Sequence, residues 1–368
     1  MTRTRGMLRL VAAGLVVAVV GAACSKSGGS GSGGFNGVAL TGAGATFPAP
    51  IYSQWFTDFR KIEAGAKINY QAIGSGGGVT QFTQGTVDFG ASDAPLKAAE
   101  QAALPGGADG VLEIPTVLGG VAIAYNVHGL QTGLKLDGTT AANIFLGNIK
   151  TWNDPAIAAM NAGVSLPTAA IQVVHRSDES GTTKVFTSWL SKESSTWSTQ
   201  VGADKSVQWP VGVGGDGNDG VAAGVSQTDG AVGYLSFDFA VTSKLGIAQI
   251  KRDSDGQYVA PSVDSISAAG GILQFPISET TNILNSSAPG AYPISTTTYL
   301  LVYKDQKDKD KGQTLVDLLY WALTKGQDEV KTLNYSPLPS TIQQQAIALL
   351  SQITSAGTPL SPSSSVKS

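Results

Sequence analysis

Again and again along this chain a turn rich in glycine and hydroxyl side chains runs straight into a segment whose apolar residues recur at helical spacing. Gly42-Ala43-Gly44-Ala45-Thr46-Phe47 precedes Ile51, Tyr52, Trp55, Phe56 and Phe59, with Pro48 at a first-turn position. Lys67 to Ile73 alternates as a strand, and Gly74-Ser75-Gly76-Gly77-Gly78 then opens a helix carrying Val79 and Phe82. The apolar run ending in Val174 leads through Ser180-Gly181-Thr182 to Val185, Phe186, Trp189 and Leu190. Strands that alternate with helices pack as layers, so the pattern predicts an α/β fold. These junctions also leave the orphan N–H groups of a helix's first turn in small-residue loops, where an anion can approach closely.

At 368 residues the chain is long enough for about two domains of ordinary size, each with its own core. Val117 to Val127 reads as a strand able to cross between two lobes, and Ile294 to Val302 as the return crossing. Leu315 to Leu323 and Ile342 to Ile353 read as helices, and the tail from Ser355 as disordered. Glycine supplies 46 residues and charged residues only 14%, against an average glycine usage of roughly 7%, which describes a globular chain of many tight turns. The formal net charge is -3, and the leader contributes Arg3, Arg5 and Arg9 without an acidic residue, so the body is more acidic still. Such a surface repels nucleic acid, and any anion must be held by local geometry.

The densest local geometry is Val173-Val174-His175-Arg176-Ser177-Asp178-Glu179-Ser180-Gly181-Thr182-Thr183. Arg176 and Asp178 are two apart at a strand end, hence on one face, where the carboxylate can fix the guanidinium fork. Ser180 and Thr182 have the ordinary fate of N-cap residues, and here capping and anion binding share one geometry. Thr46 and Ser75 are open to the same plain reading. Phosphate and sulfate are the natural guests of such a set. Val87 to Ala91 is a short strand that delivers Ser92-Asp93-Ala94-Pro95 at its carboxyl end, the edge at which open α/β sheets gather ligands. Asp93 serves either as a turn residue before Ala94-Pro95 or as a discriminator. A carboxylate in an anion site repels its guest unless the guest brings a proton; hydrogen phosphate does, and sulfate does not.

The N-terminus reads as an export signal. Arginines are followed by the apolar run Leu10 to Ala23, shorter than the roughly 20 residues of a spanning helix. Val20-Gly21-Ala22-Ala23-Cys24 looks like a lipobox in which Cys24 carries a diacylglycerol; the alternatives are a plain signal cut after Ala23 or a free structural cysteine. Ser25 to Gly34 is a Ser/Gly leash. With 1 cysteine, no disulfide forms within the chain.

Gly42-Ala43-Gly44-Ala45-Thr46-Phe47-Pro48-Ala49-Pro50, Ile73-Gly74-Ser75-Gly76-Gly77-Gly78, Val87-Asp88-Phe89-Gly90-Ala91-Ser92-Asp93-Ala94-Pro95, His175-Arg176-Ser177-Asp178 and Ser180-Gly181-Thr182 resemble, in this order, the phosphate-binding proteins of bacterial high-affinity phosphate importers, the PstS family. Gly214-Gly215-Asp216-Gly217-Asn218-Asp219-Gly220-Val221 resembles a further segment of that family. The resemblance implies a two-lobed type II periplasmic-binding-protein fold with hinge strands, divided as lobe I (35–120 and 295–354) and lobe II (121–294), preceded by the leader 1–23 and the linker 24–34 and followed by the tail 355–368. It implies that Ala45, Thr46, Phe47, Ser75 and Asp93 line one wall of a phosphate site and Arg176, Ser180, Gly181 and Thr182 the other, with Asp178 orienting Arg176. It further implies an extracytoplasmic monomer, without cofactor or metal, that closes on phosphate and presents it to a membrane permease driven by a cytoplasmic ATPase. Glu179 stands where the family usually has glycine, and its direction decides whether it opposes an anion.

An enzyme would make Ser180 a nucleophile, His175 its base and Asp178 the orienter. If Arg176 faces the cleft, His175 faces away, and no Gly-x-Ser-x-Gly elbow surrounds Ser180. A metal phosphatase finds only His128 and His175, and Asp216-Gly217-Asn218-Asp219-Gly220 fails the spacing of a calcium loop. A surface antigen without transport fits the anchor but leaves the anion constellation unexplained.

Overall fold

In the computed structural model, which describes residues 37–278 and 281–367, the alternation of strands and helices becomes one long sheet with helices on both sides. Its strands are β1 (Ala39–Gly44), β2 (Lys67–Ala72), β3 (Phe89–Ser92), β4 (Val111–Asn126), then β6 (Gln172–Arg176), β7 (Val213–Gly215), β8 (Ala231–Ser236) and β12 (Ser295–Tyr303). A small second sheet joins β5 (Lys135–Leu136), β10 (Gln249–Lys251) and β11 (Tyr258–Val259), while β9 (Gly246–Ile247) lies on β4. The strand order of the main sheet is β2-β1-β3-β12-β4-β8-β6-β7.

Strand β4, with 16 residues, organises the molecule. Val111 to Gly120 pair antiparallel with β12, and Val121 to Asn126 pair antiparallel with β8. One strand therefore belongs to two half-sheets, the first with β1, β2, β3 and β12 and the second with β6, β7 and β8; this is the two-lobed α/β arrangement expected. The chain returns at Ile294, whose carbonyl accepts the Val121 N–H at 2.8 Å. β4 starts six residues before the expected Val117 because Pro115, a residue that ordinarily argues against a strand interior, sits beside a register shift opposite Thr298 and Tyr299. Thr116 there turns its hydroxyl to Tyr52 Oη at 2.9 Å.

The expectation of a separate core for each domain is not met. One continuous apolar cluster runs from Leu40, Tyr52, Trp55 and Phe59 through Val121 and Ile123 to Phe186, Trp189 and Tyr234, with two small satellites. The Ala49–Ile62 helix buries Ile51, Tyr52, Trp55, Phe56 and Phe59, as its spacing predicts, and Trp55 donates to Gly326 O at 2.9 Å. The Lys309–Leu323 and Ser340–Leu349 helices take the places read for the later helical runs.

The tail expected to be disordered from Ser355 is ordered up to Lys367. Thr354–Ser355 pairs with Thr358–Pro359, Leu360 and Val366 are buried, and Ser363 N–H donates to Asp317 Oδ1 at 2.7 Å. Two apolar anchors in a run of serine and proline are enough to dock it. The leader, Cys24 and the Ser/Gly leash lie outside the described residues. No helix among the described residues is long and apolar enough to cross a membrane.

Candidate anion site

The second half-sheet supplies a cation with its partner attached. Arg176 ends β6 and is 3% exposed. Its Nε and Nη2 donate to Asp178 Oδ1 and Oδ2 at 2.7 and 2.5 Å, a bidentate fork. Gly217 N–H also donates to Asp178 Oδ1, at 3.2 Å, so the carboxylate is held from two elements. The remaining Nη1 reaches Thr182 Oγ1 at 3.3 Å. Thr182 lies in the first turn of the Gly181–Glu193 helix, whose N-cap Ser180 accepts the Thr183 N–H at 3.1 Å. A buried guanidinium and a helix's positive end thus converge on the same few ångströms.

The first half-sheet supplies hydroxyls and an acid. Ser75 opens the Ser75–Thr83 helix and is fully buried; its Oγ accepts the Asp93 N–H at 3.2 Å and, from the opposite wall, the Gly181 N–H at 3.1 Å. Asp93, just past β3, is 2% exposed, and its Oδ1 accepts from Thr298 Oγ1 at 2.8 Å. Burial pushes its carboxyl up to about 7, against the lowering effects of the Thr298 hydroxyl, the charges of Arg176 and Lys205, and Ser75. Gly181 has to be glycine: a Cβ there would lie 2.4 Å from Ser75 Oγ and 2.7 Å from Asp93 Oδ2. The same holds for Gly74, at φ 84°, where a Cβ would stand 2.3 Å from Asp178 Oδ2.

Thr46, Ser75, Asp93, Arg176, Ser180, Gly181 and Thr182 therefore meet in one buried hydrogen-bonded cluster. Ala45 and Phe47 occupy the same loop as Thr46. Ala45 N–H goes to Ala91 O at 3.1 Å and its carbonyl accepts from Tyr70 Oη at 2.7 Å. Phe47 sends its ring into the core beneath Gly119.

Three residues that the sequence reading did not single out complete the cluster. Asn218, fully buried, donates through Nδ2 to Thr46 Oγ1 at 2.8 Å and accepts the Ser236 N–H at 2.9 Å, bridging the walls. The signal was present, since Gly214 to Val221 is one more small-residue turn running into a helix. Thr298 and Lys205 gave no comparable signal, because a β12 threonine and a loop lysine acquire their positions only through tertiary packing.

Glu179 is exposed and runs along the cleft edge rather than into the cluster. Its carbonyl accepts the Gly76 N–H at 2.9 Å, and a Cβ on Gly76 would lie 2.1 Å from its Oε2. Two further ion pairs cross between the halves, Lys205 Nζ to Glu100 Oε1 at 2.6 Å and Lys97 Nζ to Asp204 Oδ1 at 2.5 Å. A cavity of about 200 Å³ lined by Pro95, Lys184, Ser188, Lys192 and Thr296 reaches Asp93, the one member of the cluster on its walls.

The hydrolase constellation does not assemble. His175 stacks on Trp209 with ring centroids 4.9 Å apart, both Asp178 oxygens are engaged by Arg176, and Ser180 Oγ serves as a cap. Among the described residues, no group of three or more His, Cys, Asp or Glu side chains is placed to hold a metal ion.

Comparison with known proteins agrees with this geometry. The family model of the PBP superfamily domain matches residues 25–325. Phosphate-binding protein PstS of Xylella fastidiosa is 40% identical over 311 residues, covering 84% of each chain. Its counterpart in Pasteurella multocida is 41% identical over 309 residues, covering 83% of this chain and 88% of that one. In fold, the crystal structure of a phosphate-binding protein from Stenotrophomonas maltophilia superposes with a TM-score of 0.64 at 22% identity, covering 84% of this chain and 93% of that one. The chain belongs to the PBP superfamily and, within it, to the family of the phosphate-binding proteins PstS.

Proposed function

We propose that this chain is a substrate-binding protein that captures inorganic phosphate between its two lobes and delivers it to the permease of an ABC phosphate importer, without catalysing a reaction. The observation that carries this reading is Asp93, a buried acid beside Arg176 and the Gly181 helix start, with a carboxyl raised to about 7. An acid in an anion site makes sense only for a guest that shares a proton with it. Hydrogen phosphate donates its P–OH to ionised Asp93; fully ionised sulfate leaves two negative groups facing each other. Where Asp93 is ionised, at about pH 9, leaving such groups unpaired costs about 1–3 kcal/mol or more, which corresponds to rejection of sulfate by roughly a hundredfold. Arsenate carries the same proton, so Asp93 does not reject it, and only the tightness of the cavity could.

The ligands are Thr46, Ser75, Asp93, Arg176, Ser180, Gly181 and Thr182, with the Ala45 and Phe47 backbone shaping the wall and Asp178 fixing Arg176. The lobes run 35–120 with 295–354, and 121–294, a division supported by the change of partner of β4 at Val121. Export and anchoring through Cys24, monomeric behaviour and an extracytoplasmic site of action belong to the same reading, supported by the leader sequence. Titration calorimetry with phosphate and then sulfate at about pH 9, where Asp93 is ionised, tests it. One-to-one binding of phosphate alone is the expected result; equal binding of both removes Asp93 as discriminator, and binding of neither removes the receptor assignment.

A further inference from the structure

Behind the Phe47 wall a single hydroxyl proton is asked to serve two acceptors. Tyr335 Oη lies 2.6 Å from Phe47 O and 2.9 Å from Asp238 Oδ2. A carbonyl only accepts, so with one hydroxyl proton Tyr335 can answer either Phe47 O or Asp238 Oδ2 in full, and the acceptor left out faces the tyrosine oxygen lone pair to lone pair. Both contacts are hydrogen bonds at once only if the carboxyl brings the second proton, Tyr335 then donating to the shorter Phe47 O contact and accepting from Asp238. The other oxygen, Oδ1, already accepts from Ser236 Oγ at 2.6 Å.

We infer that Asp238 is held as the neutral acid and, through Tyr335, positions the Phe47 carbonyl and with it the binding loop on the opposite lobe. The inference rests on the phosphate reading for its functional consequence and on hydrogen-bond accounting for its chemistry.

Asp238 follows β8 and so belongs to the second half-sheet, whereas Tyr335 is fixed to the first through Ser336, which exchanges both backbone hydrogen bonds with Leu118 at 2.9 Å. The Phe47 ring meets the Tyr335 ring edge-on, centroids 5.7 Å apart, so the same tyrosine fixes both the side chain and the carbonyl of that residue. The relay thus ties the loop to both lobes. Among the described residues no lysine or arginine pairs with Asp238, which is 5% exposed. The β4 stretch from Val117 to Asn126 carries no charged side chain, and β8 contributes only Ser236. The Gly217–Gln227 helix brings Asp219, which is exposed, and Tyr335 is followed outward by Tyr52 and Asp93, an acid in its own right. Burial raises the Asp238 carboxyl to about 7, despite the opposing Ser236 and Tyr335 hydroxyls and local backbone N–H groups. Ionisation makes Asp238 the better acceptor, draws the Tyr335 proton from Phe47 O, and frees the wall.

The test uses the full chain and the Asp238→Asn variant, whose amide donates to Tyr335 at every pH. Inorganic phosphate is titrated calorimetrically at about pH 6 and about pH 9, and the ratio of the two affinities cancels the titration of phosphate and of Asp93. The variant-to-wild-type affinity ratio should rise about fivefold between these pH values, the weight of one ordinary hydrogen bond. Tyr335→Phe should abolish the difference, and infrared difference spectra at the lower pH should show a carboxylic C=O stretch that Asp238→Asn removes and Asp93→Asn does not. A ratio constant with pH, or no carboxylic band assignable to Asp238, overturns the inference. If the wild type takes no phosphate at either pH, the ligand assignment falls, and the infrared band still decides the protonation.

Discussion

The wall carrying Arg176 and the wall carrying Asp93 are equally buried and equally hydrogen-bonded, yet they present opposite electrostatics to whatever lies between them. On the Arg176 wall a guanidinium, a group that keeps its charge in proteins, is locked by a bidentate carboxylate and backed by a helix start. On the Asp93 wall an acid sits near the middle of its titration, held by Thr298 and Ser75. On the phosphate reading proposed above, the difference separates two jobs that one set of contacts cannot do together: the invariant wall would supply attraction for any oxyanion, and the titrating wall would decide which oxyanion stays.

Breaking the invariant wall should have the largest effect. Arg176→Ala removes the cation and strands Asp178, a half-buried carboxylate left with the Gly217 N–H; the expected stability cost is at most about 3–5 kcal/mol. Phosphate affinity measured calorimetrically should fall on the order of a thousandfold, with circular dichroism confirming the fold. Undiminished binding by a folded variant removes Arg176 from the site.

Next in size is the discriminator. Asp93→Asn keeps the shape, cannot ionise, and donates where the acid accepted, so at about pH 9 sulfate should bind within about tenfold of phosphate, whereas the native chain, its Asp93 ionised, should reject it by about a hundredfold. Competition of sulfate against phosphate reads this directly.

The native pH dependence follows with its sign. The carboxyl of Asp93 lies at about 7 in the folded chain against an ordinary 3.8, so its neutral form is favoured by folding. Its contribution to stability is full below about pH 4, declines as pH rises toward about 7, and is gone above that. The melting temperature of Asp93→Asn should accordingly vary less than that of the native chain over this interval. Sulfate, barred at about pH 9 where Asp93 is ionised, should gain affinity in the native protein as the solution is acidified through about 7 and Asp93 takes up its proton.

The smallest effects belong to the pairs that span the cleft edge. Lys97 and Asp204 are each close to half exposed, so Lys97→Ala should weaken phosphate binding by about twofold or less, an effect that 0.5 M salt reproduces in the native chain. Lys205, buried against Glu100, should cost more.

Much of this comparison was legible before any coordinates. Short-range patterns did the work: hydroxyl-rich turns leading into helices placed Thr46, Ser75 and the Ser180-Gly181-Thr182 step, and a two-residue spacing on a strand paired Arg176 with Asp178. The strand crossing between lobes was read from Val117 to Val127, although its first turn of sequence was hidden by Pro115. What stayed hidden depends on contacts distant in sequence. Thr298 touches Asp93 across 205 positions, and Asn218 touches Thr46 across 172, distances at which composition and periodicity carry no information. Nor could residue order reveal that Leu360 and Val366 pin a serine- and proline-rich end to the body, or that Glu179 lies outward over Gly76.

The strand shared by both half-sheets makes the lobes inseparable as pieces. Cutting the gene at the lobe boundary would leave β4 severed and β8 or β12 with a row of unanswered N–H and C=O groups on a long, apolar edge. Such an edge recruits other chains. A lobe produced by itself should therefore aggregate rather than stand as a miniature receptor, and the evolutionary unit that can be moved between proteins is the whole pair.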